Sequence, residues 1–554
     1  MVTSVVGVVV LLGGLIFFHE LGHYLVAKLF GVRVEVFSLG FGKKIFRRQV
    51  GETEYCLSLI PLGGYVKLMG DDPYRAVPAE DAARAFSTQK LYKRFLIVAA
   101  GPIANFLLAF VLFIVIFWLG QPVRTSKIGF VAPASPAWDA GLRPGDRLVS
   151  VGNEPVQYWN ELDEDLKART GQKVDLQVDR AGAQLRIPYT IGLVRTRNPY
   201  GEEEEVGGIK GISPYPVLAA VGVSDPASAA GHAGLKTGDT IIKVDNRPVA
   251  LWEEMREALA AYWQPGKPVT ITFKRPTGTG DKTEEKSATL VFPARPTPDK
   301  ANLFGEVSAL GLYPTELFVQ KVNPDSPAEK GGLLVGDRVV QVAGTPVFHF
   351  EMIVDAVQGA GEKGGPLMFS LERGGQKVQL ELKPVETEVE DPLTHQKKKR
   401  FLVGFMPQTS LSEAEMGKFQ IRKPLELIPH ALGETYRISE RMVVSLAKLV
   451  TGSVSVKNLG GPVLIASIAG KSLDAGIVPF LQTMALISIN LFLLNLFPIP
   501  VLDGGHLLFF TMEAIKGKPV SIRVMEMANQ VGLVLILMLV ALTFFNDISR
   551  IVMH

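Results

Sequence analysis

Residues 11–28, near the N-terminus, read LLGGLIFFHELGHYLVAK. This stretch continues an apolar run in which residues 1–18 contain no charged side chain. Because about 20 apolar residues match the hydrocarbon core of a bilayer, we expect residues 4–27 to form a membrane-spanning helix. The same stretch carries His19, Glu20 and His23. Ionisable groups are costly to place in lipid, so those in a spanning helix indicate a functional site.

Three further windows also lack Asp, Glu, Lys and Arg, namely 95–123, 475–502 and 527–546. They predict spanning helices over 95–119, 477–497 and 530–546. Charged residues make up 20% of the whole chain, against about 25% in an average soluble protein, and these windows account for the shortfall. The expected fold is a membrane protein with an α-helical core of about four transmembrane helices. A wholly soluble protein is excluded.

Composition excludes several other classes of protein. A hydrophobic content of 47% is too high for a disordered chain, and the 55 glycines and 36 prolines follow no collagen-like period. The single cysteine, Cys56, excludes an internal disulfide and a cysteine-based metal site. A net charge of +3 without a basic face predicts no binding to nucleic acid.

Lys and Arg are concentrated between the first two predicted helices. They are Lys28, Arg33, Lys43, Lys44, Arg47, Arg48, Arg84, Lys90, Lys93 and Arg94. Because basic residues favour the cytoplasmic side, we expect the loop 28–94 to be cytoplasmic and the region 120–474 to lie on the opposite, periplasmic side. Lys516, Lys518 and Arg523, between the last two predicted helices, agree with this orientation.

The region between the membrane segments contains an internal repeat. Three stretches match without a gap: SPAWDAGLRPGDRLVSVGNEPVQYW from Ser135, DPASAAGHAGLKTGDTIIKVDNRPVALW from Asp225 and SPAEKGGLLVGDRVVQVAGTPVFHF from Ser326. Each has a β-rich run, a short helical turn, a Gly-Asp turn and an alternating strand. Each copy resembles the circularly permuted bacterial PDZ domain, which binds extended peptides or peptide C-termini by strand addition. The alternative is a spacer or steric filter without a ligand.

These observations predict a soluble α+β insert of three PDZ-like domains between two membrane halves. The predicted ranges are 1–120 for the N-terminal membrane half, 121–200, 212–298 and 312–388 for the three domains, 405–470 for an amphipathic or interfacial segment, and 471–554 for the C-terminal membrane half. Within 405–470, residues 424–450 have the pattern of an interfacial helix, which Gly460, Gly461 and Pro462 should end. The charged runs 202–205 and 397–400 are expected to be solvated linker or boundary segments.

His19-Glu20-Leu21-Gly22-His23 is the candidate catalytic motif. Two histidines four residues apart share one helical face and can bind one Zn²⁺, while Glu20 is placed to take a proton from water on the metal. The alternative is a polar pair at a helix end that reaches the membrane interface.

A catalytic zinc usually has three protein ligands, so a third must come from elsewhere. The candidate segment is NLFPIPVLDGGH over 495–506. Its two prolines and Gly-Gly pair should break a helix at membrane depth, where irregular backbone must line a cavity or pack in protein. The break would let Asp503 turn inward. His506 is the alternative third ligand.

Three motifs together resemble the site-2 protease family of intramembrane zinc metalloproteases. They are HELGH (19–23), GPIAN (101–105) and NLFPIPVLDGGH (495–506), and the resemblance extends to SLGFGKKIF (38–46), GGYVKLMG (63–70) and the final FNDISR (545–550). Proteases of the type it resembles usually carry two PDZ domains in tandem, whereas this sequence shows three. The extra domain bears on substrate gating rather than on the chemistry.

The resemblance implies a role for each motif. His19, His23 and Asp503 would be zinc ligands and Glu20 the general acid and base. The remaining implied residues would contact substrate: Asn495, Pro498 and Pro500 in the broken segment, and Gly40, Phe41 and Gly42 in a membrane-reentrant β element that pairs with unwound substrate.

The resemblance also implies a cellular setting. The substrate would be a single-pass membrane protein, typically an anti-sigma factor already trimmed on its outer side. The enzyme would lie in the bacterial inner membrane with its active site toward the cytoplasm. Two alternatives from other classes are a membrane-tethered PDZ scaffold without catalysis and a transporter with broken helices.

Overall fold

The computed structural model describes residues 2–72, 77–198, 200, 202–277, 282–296, 303–390, 397–452 and 454–553. These residues form two compact units, one with residues 2–122 and 418–553 and the other with residues 123–390 and 397–417. The predicted end of the second repeat, residues 297 and 298, lies outside the described residues.

The first unit contains the membrane helices. Among the described residues, four helices are long and apolar enough to cross a membrane: Val6–Leu29, Leu91–Leu119, Ile477–Leu496 and Ile522–Arg550. They confirm the predicted core of four helices. The fourth is longer than predicted, because its helix continues through the polar residues on both sides of the apolar window.

The N-terminal part of this unit is two long helices with a β-sheet between them. Its elements are α1 (Val2–Leu29), β1 (Val34–Val50), β2 (Thr53–Leu68) and α2 (Leu91–Leu119), with a 3₁₀ helix at Ala82–Arg84. Both long strands are bent, so residues 36–39 of β1 pair with residues 64–67 on one side and with residues 54–57 on the other. Gly40 and Gly42, at the bend of β1, have φ values of 88° and 84°, which favour glycine.

The second unit is rich in strands. Its helices are α3 (Pro136–Asp139), α4 (Trp159–Lys167), α5 (Ala229–His232), α6 (Trp252–Tyr262), α7 (Pro327–Lys330) and α8 (Phe350–Lys363). Its strands, of which the first continues from the membrane unit, are β3 (Gln121–Arg124), β4 (Phe130–Val131), β5 (Arg147–Val151), β6 (Glu154–Pro155), β7 (Lys173–Arg180), β8 (Ala183–Thr190), β9 (Gly192–Arg197), β10 (Glu203–Gly208), β11 (Ile212–Ser213), β12 (Ala220–Gly222), β13 (Asp239–Val244), β14 (Arg247–Pro248), β15 (Pro268–Pro276), β16 (Thr283–Val291), β17 (Tyr313–Pro314), β18 (Val319–Val322), β19 (Arg338–Val342), β20 (Thr345–Pro346), β21 (Leu367–Arg373), β22 (Gln376–Leu382), β23 (Val385–Glu390), β24 (Lys397–Leu402) and β25 (Phe405–Pro407). Two more 3₁₀ helices span Gly305–Leu310 and Thr315–Leu317.

The sequence repeat corresponds to a repeated order of elements. In the described part of the unit, a strand, a short helix, two strands, a longer helix and a two-stranded hairpin occur in this order three times, from β4, β12 and β18. A later strand then pairs with the first strand of each copy: β11 with β4, β17 with β12 and β25 with β18. These closing strands follow the ranges predicted for the copies.

The same polar contacts recur in each copy. The aspartate of each Gly-Asp turn is at most 1% exposed and accepts two hydrogen bonds from an arginine on a neighbouring strand, in the pairs Asp146–Arg180, Asp239–Arg275 and Asp337–Arg373. Each arginine also donates to the carbonyl of a repeat glycine, at Gly141, Gly234 and Gly332. The hydrogen bonds that each arginine donates to the aspartate raise the pKa of that arginine above its usual value. Each pair therefore fixes a turn to a strand.

The two charged runs expected to be solvated linker or boundary segments form strands. Residues 203–208 form β10, which pairs with β9, and residues 397–402 form β24, which pairs with β23. Opposite charges face each other across the ladders, as in the ion pair of Arg195 with Glu205 at 3.1 Å and that of Lys399 with Glu386 at 3.2 Å. Such cross-strand pairs stabilise a hairpin, which explains why the runs are ordered.

The C-terminal part of the first unit is helical. Its elements are β26 (Met416–Phe419), α9 (Pro424–Val450), α10 (Pro462–Asp474), α11 (Ile477–Leu496), α12 (Asp503–Lys516) and α13 (Ile522–Met553), with a 3₁₀ helix at Val456–Asn458. Helix α9 occupies the range of the predicted interfacial helix. Gly460, Gly461 and Pro462 do not end it, because it stops at Val450 and Pro462 is the first residue of α10.

The FNDISR segment fixes the start of α10. Asp547 of α13 is 2% exposed and accepts hydrogen bonds from the backbone N–H groups of Gly461, Val463 and Leu464 at 3.0 to 3.1 Å. A carboxylate is the favoured partner of the unpaired N–H groups at a helix N-terminus. Helix α10 also packs on α1, where a Cβ atom at Gly7 would lie 3.0 Å from the Ala469 carbonyl oxygen.

The repeated Asp–Arg pair can be tested in the third copy. We expect Asp337→Asn to accelerate hydrogen exchange in β19 and β21, because hydrogen bonds to charged groups contribute about 1.5 to 3 kcal/mol. Exchange in the membrane helices should not change. The control Asp325→Asn alters an exposed aspartate of the same copy and should leave β19 and β21 protected. Equal exchange in both variants would contradict a stabilising role for the pair.

Candidate metal centre

Three predicted residues bring their ligand atoms together inside the membrane unit. His19 and His23 lie on α1, and Asp503 is the first residue of α12. His19 Nε2 lies 3.2 Å from Asp503 Oδ2 and 3.3 Å from His23 Nε2, and His23 Nε2 lies 3.5 Å from Asp503 Oδ2. Among the described residues, this is the group of His, Cys, Asp and Glu side chains close enough to share one metal ion.

The chemistry of these atoms fits a metal ion. Asp503 Oδ2 is buried and accepts no hydrogen bond from any described residue. Three Lewis bases thus converge on one point without a proton donor between them, which is unfavourable unless a cation binds there. Tetrahedral zinc ligands with bonds of about 2.0 to 2.1 Å lie about 3.3 Å apart, as these atoms do.

The histidine pair depends on close packing between α1 and α2. A Cβ atom at Gly22 of α1 would overlap the carbonyl group of Ala100 on α2. A Cβ atom at Gly101 of α2 would overlap the His23 ring. The glycine of the GPIAN motif therefore makes room for a candidate metal ligand, a role that the sequence did not indicate.

Helix α2 also provides polar partners for both rings. His23 Nδ1 donates to the Ile97 carbonyl at 2.9 Å, which leaves the lone pair of a neutral ring on Nε2. Asn105 Nδ2 is placed 3.3 Å from His19 Nδ1. Residues 97, 101 and 105 are four apart, so they share one face of α2. Only this helical spacing could have indicated their role from the sequence.

Glu20 lies beside the metal ligands and next to the β-sheet. A Cβ atom at Gly64 of β2 would be 3.0 Å from Glu20 Cγ and 3.0 Å from the Ser38 carbonyl oxygen. The absence of a side chain at Gly64 therefore lets the strand run directly past Glu20. Phe41 of β1 stacks on Tyr65 of β2, with ring centroids 6.3 Å apart. The Gly40–Gly42 segment therefore packs onto this part of the sheet.

A turn between α11 and α12 brings Asp503 to the site. Helix α11 ends at Leu496 with Asn495 in its last turn, and the exposed Pro498 and half-buried Pro500 follow in the turn. Val501 has a φ of 84°, an unusual value for a β-branched residue.

The Gly-Gly pair, predicted to break the helix, lies inside α12. Cβ atoms at Gly504 and Gly505 would overlap the carbonyl groups of Phe497 and Ile499. These glycines therefore allow α12 to start directly against the turn. His506 lies one helical turn beyond Asp503, with its ring 6.4 Å from that of Phe509, and it is not part of the metal-ligand group.

The role of Gly101 can be tested by adding one methyl group. We expect Gly101→Ala to weaken metal binding by about tenfold or more. The added methyl group would displace the His23 ring, and loss of the contacts that orient a metal ligand has effects of this size. Zinc affinity measured by competition with a chelator gives the result. Gly13→Ala on α1 is the control, since a Cβ there meets no atom within 4 Å. Unchanged affinity in the Gly101 variant would show that the rings need no such space.

The chain is similar to known peptidases over nearly its whole length. The model of peptidase family M50 matches residues 7–539. A Vibrio cholerae serotype O1 protein, named as a candidate zinc metalloprotease, is 33% identical over 555 residues, which cover 98% of this chain and 97% of that protein. The regulator of sigma-E protease RseP of Escherichia coli K12 is 32% identical over 548 residues, covering 98% and 97%.

Among solved structures, a PDZ domain protein from Parabacteroides distasonis is 10% identical and covers 52% of this chain and 100% of that one. Its TM-score of 0.11 is too low to support a structural conclusion. The sequence matches confirm the predicted resemblance: the chain belongs to peptidase family M50, the site-2 protease family.

Proposed function

We propose that His19, His23 and Asp503 hold the zinc ion of this peptidase and that Glu20 is its general acid and base. Family membership makes the chain an intramembrane zinc metalloprotease. The observation that carries the residue assignment is the convergence of three Lewis-base atoms within 3.5 Å of one another, two of them on a helix able to cross the membrane.

Glu20 moves the protons of the reaction in this proposal. Zinc, when bound, supplies the Lewis acidity that polarises a peptide carbonyl and activates water at neutral pH. Glu20 takes a proton from the attacking water as the oxygen bonds to the carbonyl carbon. It then passes that proton to the amide nitrogen as the C–N bond breaks. The position of Glu20 beside all three ligands supports this role.

We further propose that the β-sheet holds the substrate in an extended form. A helix must lose its internal hydrogen bonds before its backbone can be cleaved, and a sheet edge can replace them. Residues 64–67 of β2 pair with β1 and run past Glu20, which supports an extended substrate next to them. Gly40, Phe41 and Gly42 would shape this sheet. Asn495, Pro498 and Pro500 would contact substrate from the turn before Asp503.

The substrate is a membrane protein, as expected for an intramembrane protease that works within the lipid bilayer. We propose a single-pass protein resembling an anti-sigma factor, trimmed on its outer side before cleavage. The relatives named as regulators of sigma-E support this class. The three PDZ-like copies would bind peptide C-termini or extended peptides, or exclude untrimmed substrates. Membership in a peptidase family favours this function over a scaffold or a transporter.

The assignment predicts different effects for two substitutions. Glu20→Gln should retain zinc and lower cleavage of a model transmembrane substrate by about 100-fold or more, the usual effect of losing a general base. Asp503→Ala should lose zinc affinity as well as activity. His506→Gln is the matched control and should keep both. Full cleavage by Glu20→Gln, or zinc loss in His506→Gln but not in Asp503→Ala, would refute these roles.

The chain lies in the inner membrane, and we propose that the active site faces the cytoplasm while the PDZ-like copies face the periplasm. The basic residues of the loop 28–94 support this orientation. Green fluorescent protein fused after Lys44 should fluoresce, and alkaline phosphatase fused there should be inactive. Fusions after Arg197, in the second unit, should give the opposite pattern. The same pattern at both sites would contradict the proposed topology.

A further inference from the structure

Asn105 is a buried polar residue of α2 whose side chain contacts a metal ligand. It is 0% exposed, and its Nδ2 atom is placed 3.3 Å from His19 Nδ1. Its Oδ1 atom is also buried and has no hydrogen-bond partner among the described residues. A buried amide with an unmade hydrogen bond is unfavourable. Asn105 thus contacts His19 through one atom of its amide and leaves the other atom unpaired.

The hydrogen bonding of the His19 ring determines which atom of the Asn105 amide faces it. His19 Nε2 faces Asp503 Oδ2 and His23 Nε2, so it needs its lone pair to bind a metal. The proton of the neutral ring must then be on Nδ1, which makes Nδ1 a donor. An amide NH₂ group is also a donor and cannot pair with it. The oxygen and nitrogen of an amide occupy equivalent positions, and the hydrogen-bond network decides between them.

His23 shows the same arrangement with a fixed acceptor. Its Nδ1 donates to the backbone carbonyl of Ile97, two helical turns before Asn105 on the same face of α2. A carbonyl can only accept, so this contact determines the tautomer of His23 without ambiguity. Helix α2 thus contacts both histidines at Nδ1. It contacts His23 through a main-chain carbonyl and His19 through a side-chain amide.

A neighbouring helix contacts the main chain of Asn105 and not its side chain. The backbone carbonyl oxygen of Asn105 accepts a hydrogen bond from Ser488 Oγ of α11 at 2.7 Å, and Ser488 is also 0% exposed. This bond joins α2 to the helix that leads into the Asp503 turn. Among the described residues, the side-chain amide of Asn105 is left to interact with His19 alone.

We propose that Asn105 is a positioning residue whose amide oxygen accepts the Nδ1 hydrogen of His19. It fixes the tautomer and ring plane of His19 so that Nε2 faces the metal. The proposal rests on the proposed zinc site, and it assigns the last residue of GPIAN a task equivalent to that of the Ile97 carbonyl. Asn105 touches neither substrate nor metal in this role.

Two substitutions of similar size test the proposal in the purified full chain. Asn105→Asp keeps an acceptor and removes the donors, whereas Asn105→Leu removes both. We expect Leu to weaken zinc binding by about 10- to 100-fold, as for other outer partners of metal ligands. Asp should bind zinc at least as tightly as the natural chain. Affinity is measured by chelator competition, and the visible spectrum of the cobalt(II)-substituted protein reports ligand geometry.

Each result decides between the alternatives. Wild-type affinity in Asn105→Leu would overturn the proposal, and so would an equal loss in Asp and Leu, because the side chain would then act as a donor or as packing. Ser488→Ala removes the contact to α11 without touching His19 and should leave affinity and spectrum unchanged. Asp503→Ala is measured in parallel. If Asp503→Ala binds zinc normally, the proposed zinc site is wrong. If Asn105→Leu binds zinc normally but Asp503→Ala does not, only the inference on Asn105 is wrong.

Discussion

The candidate metal site depends on how closely α1 and α2 approach each other. Gly22 and Gly101 remove the side chains that would separate the helices, and the His23 ring occupies the space left at Gly101. At that separation the Ile97 carbonyl accepts from His23 and the Asn105 amide reaches His19. A larger separation would leave both rings free to rotate. The orientation of these two candidate metal ligands is therefore a property of helix packing.

The third ligand depends on a second close approach. Gly504 and Gly505 let α12 start against the turn that follows α11, and this turn carries Asp503. Further along α12, Glu513 accepts from Arg94 of α2 at 2.5 Å, and the Arg94 guanidinium lies 5.1 Å from the centre of the Phe510 ring. Helix α12, which carries Asp503, is thus bound to α2, which contacts both histidines. Helix α2 therefore contacts both candidate histidine ligands and the helix that carries Asp503.

The sequence predicted the parts of this site that follow from local pattern. A charge-free window predicts a spanning helix, and a four-residue spacing places His19 and His23 on one face. The proline-rich segment correctly predicted a break before Asp503. What local pattern could not show were contacts between segments distant in the chain. The Gly-Gly pair illustrates this, because the same residues can break a helix or allow two segments to touch, and only the position of Phe497 and Ile499 decides.

The repeats also contain glycines whose role depends on a contact with a distant part of the chain. Glycines at 211, 311 and 404 have positive φ values, and a Cβ there would overlap Ser135, Ser228 and Ser326 of the respective copies. Each closing strand pairs with the first strand of its own copy, and among the described strands no ladder joins two copies. Such a unit can be duplicated or deleted as a contiguous piece of gene without opening a neighbouring sheet.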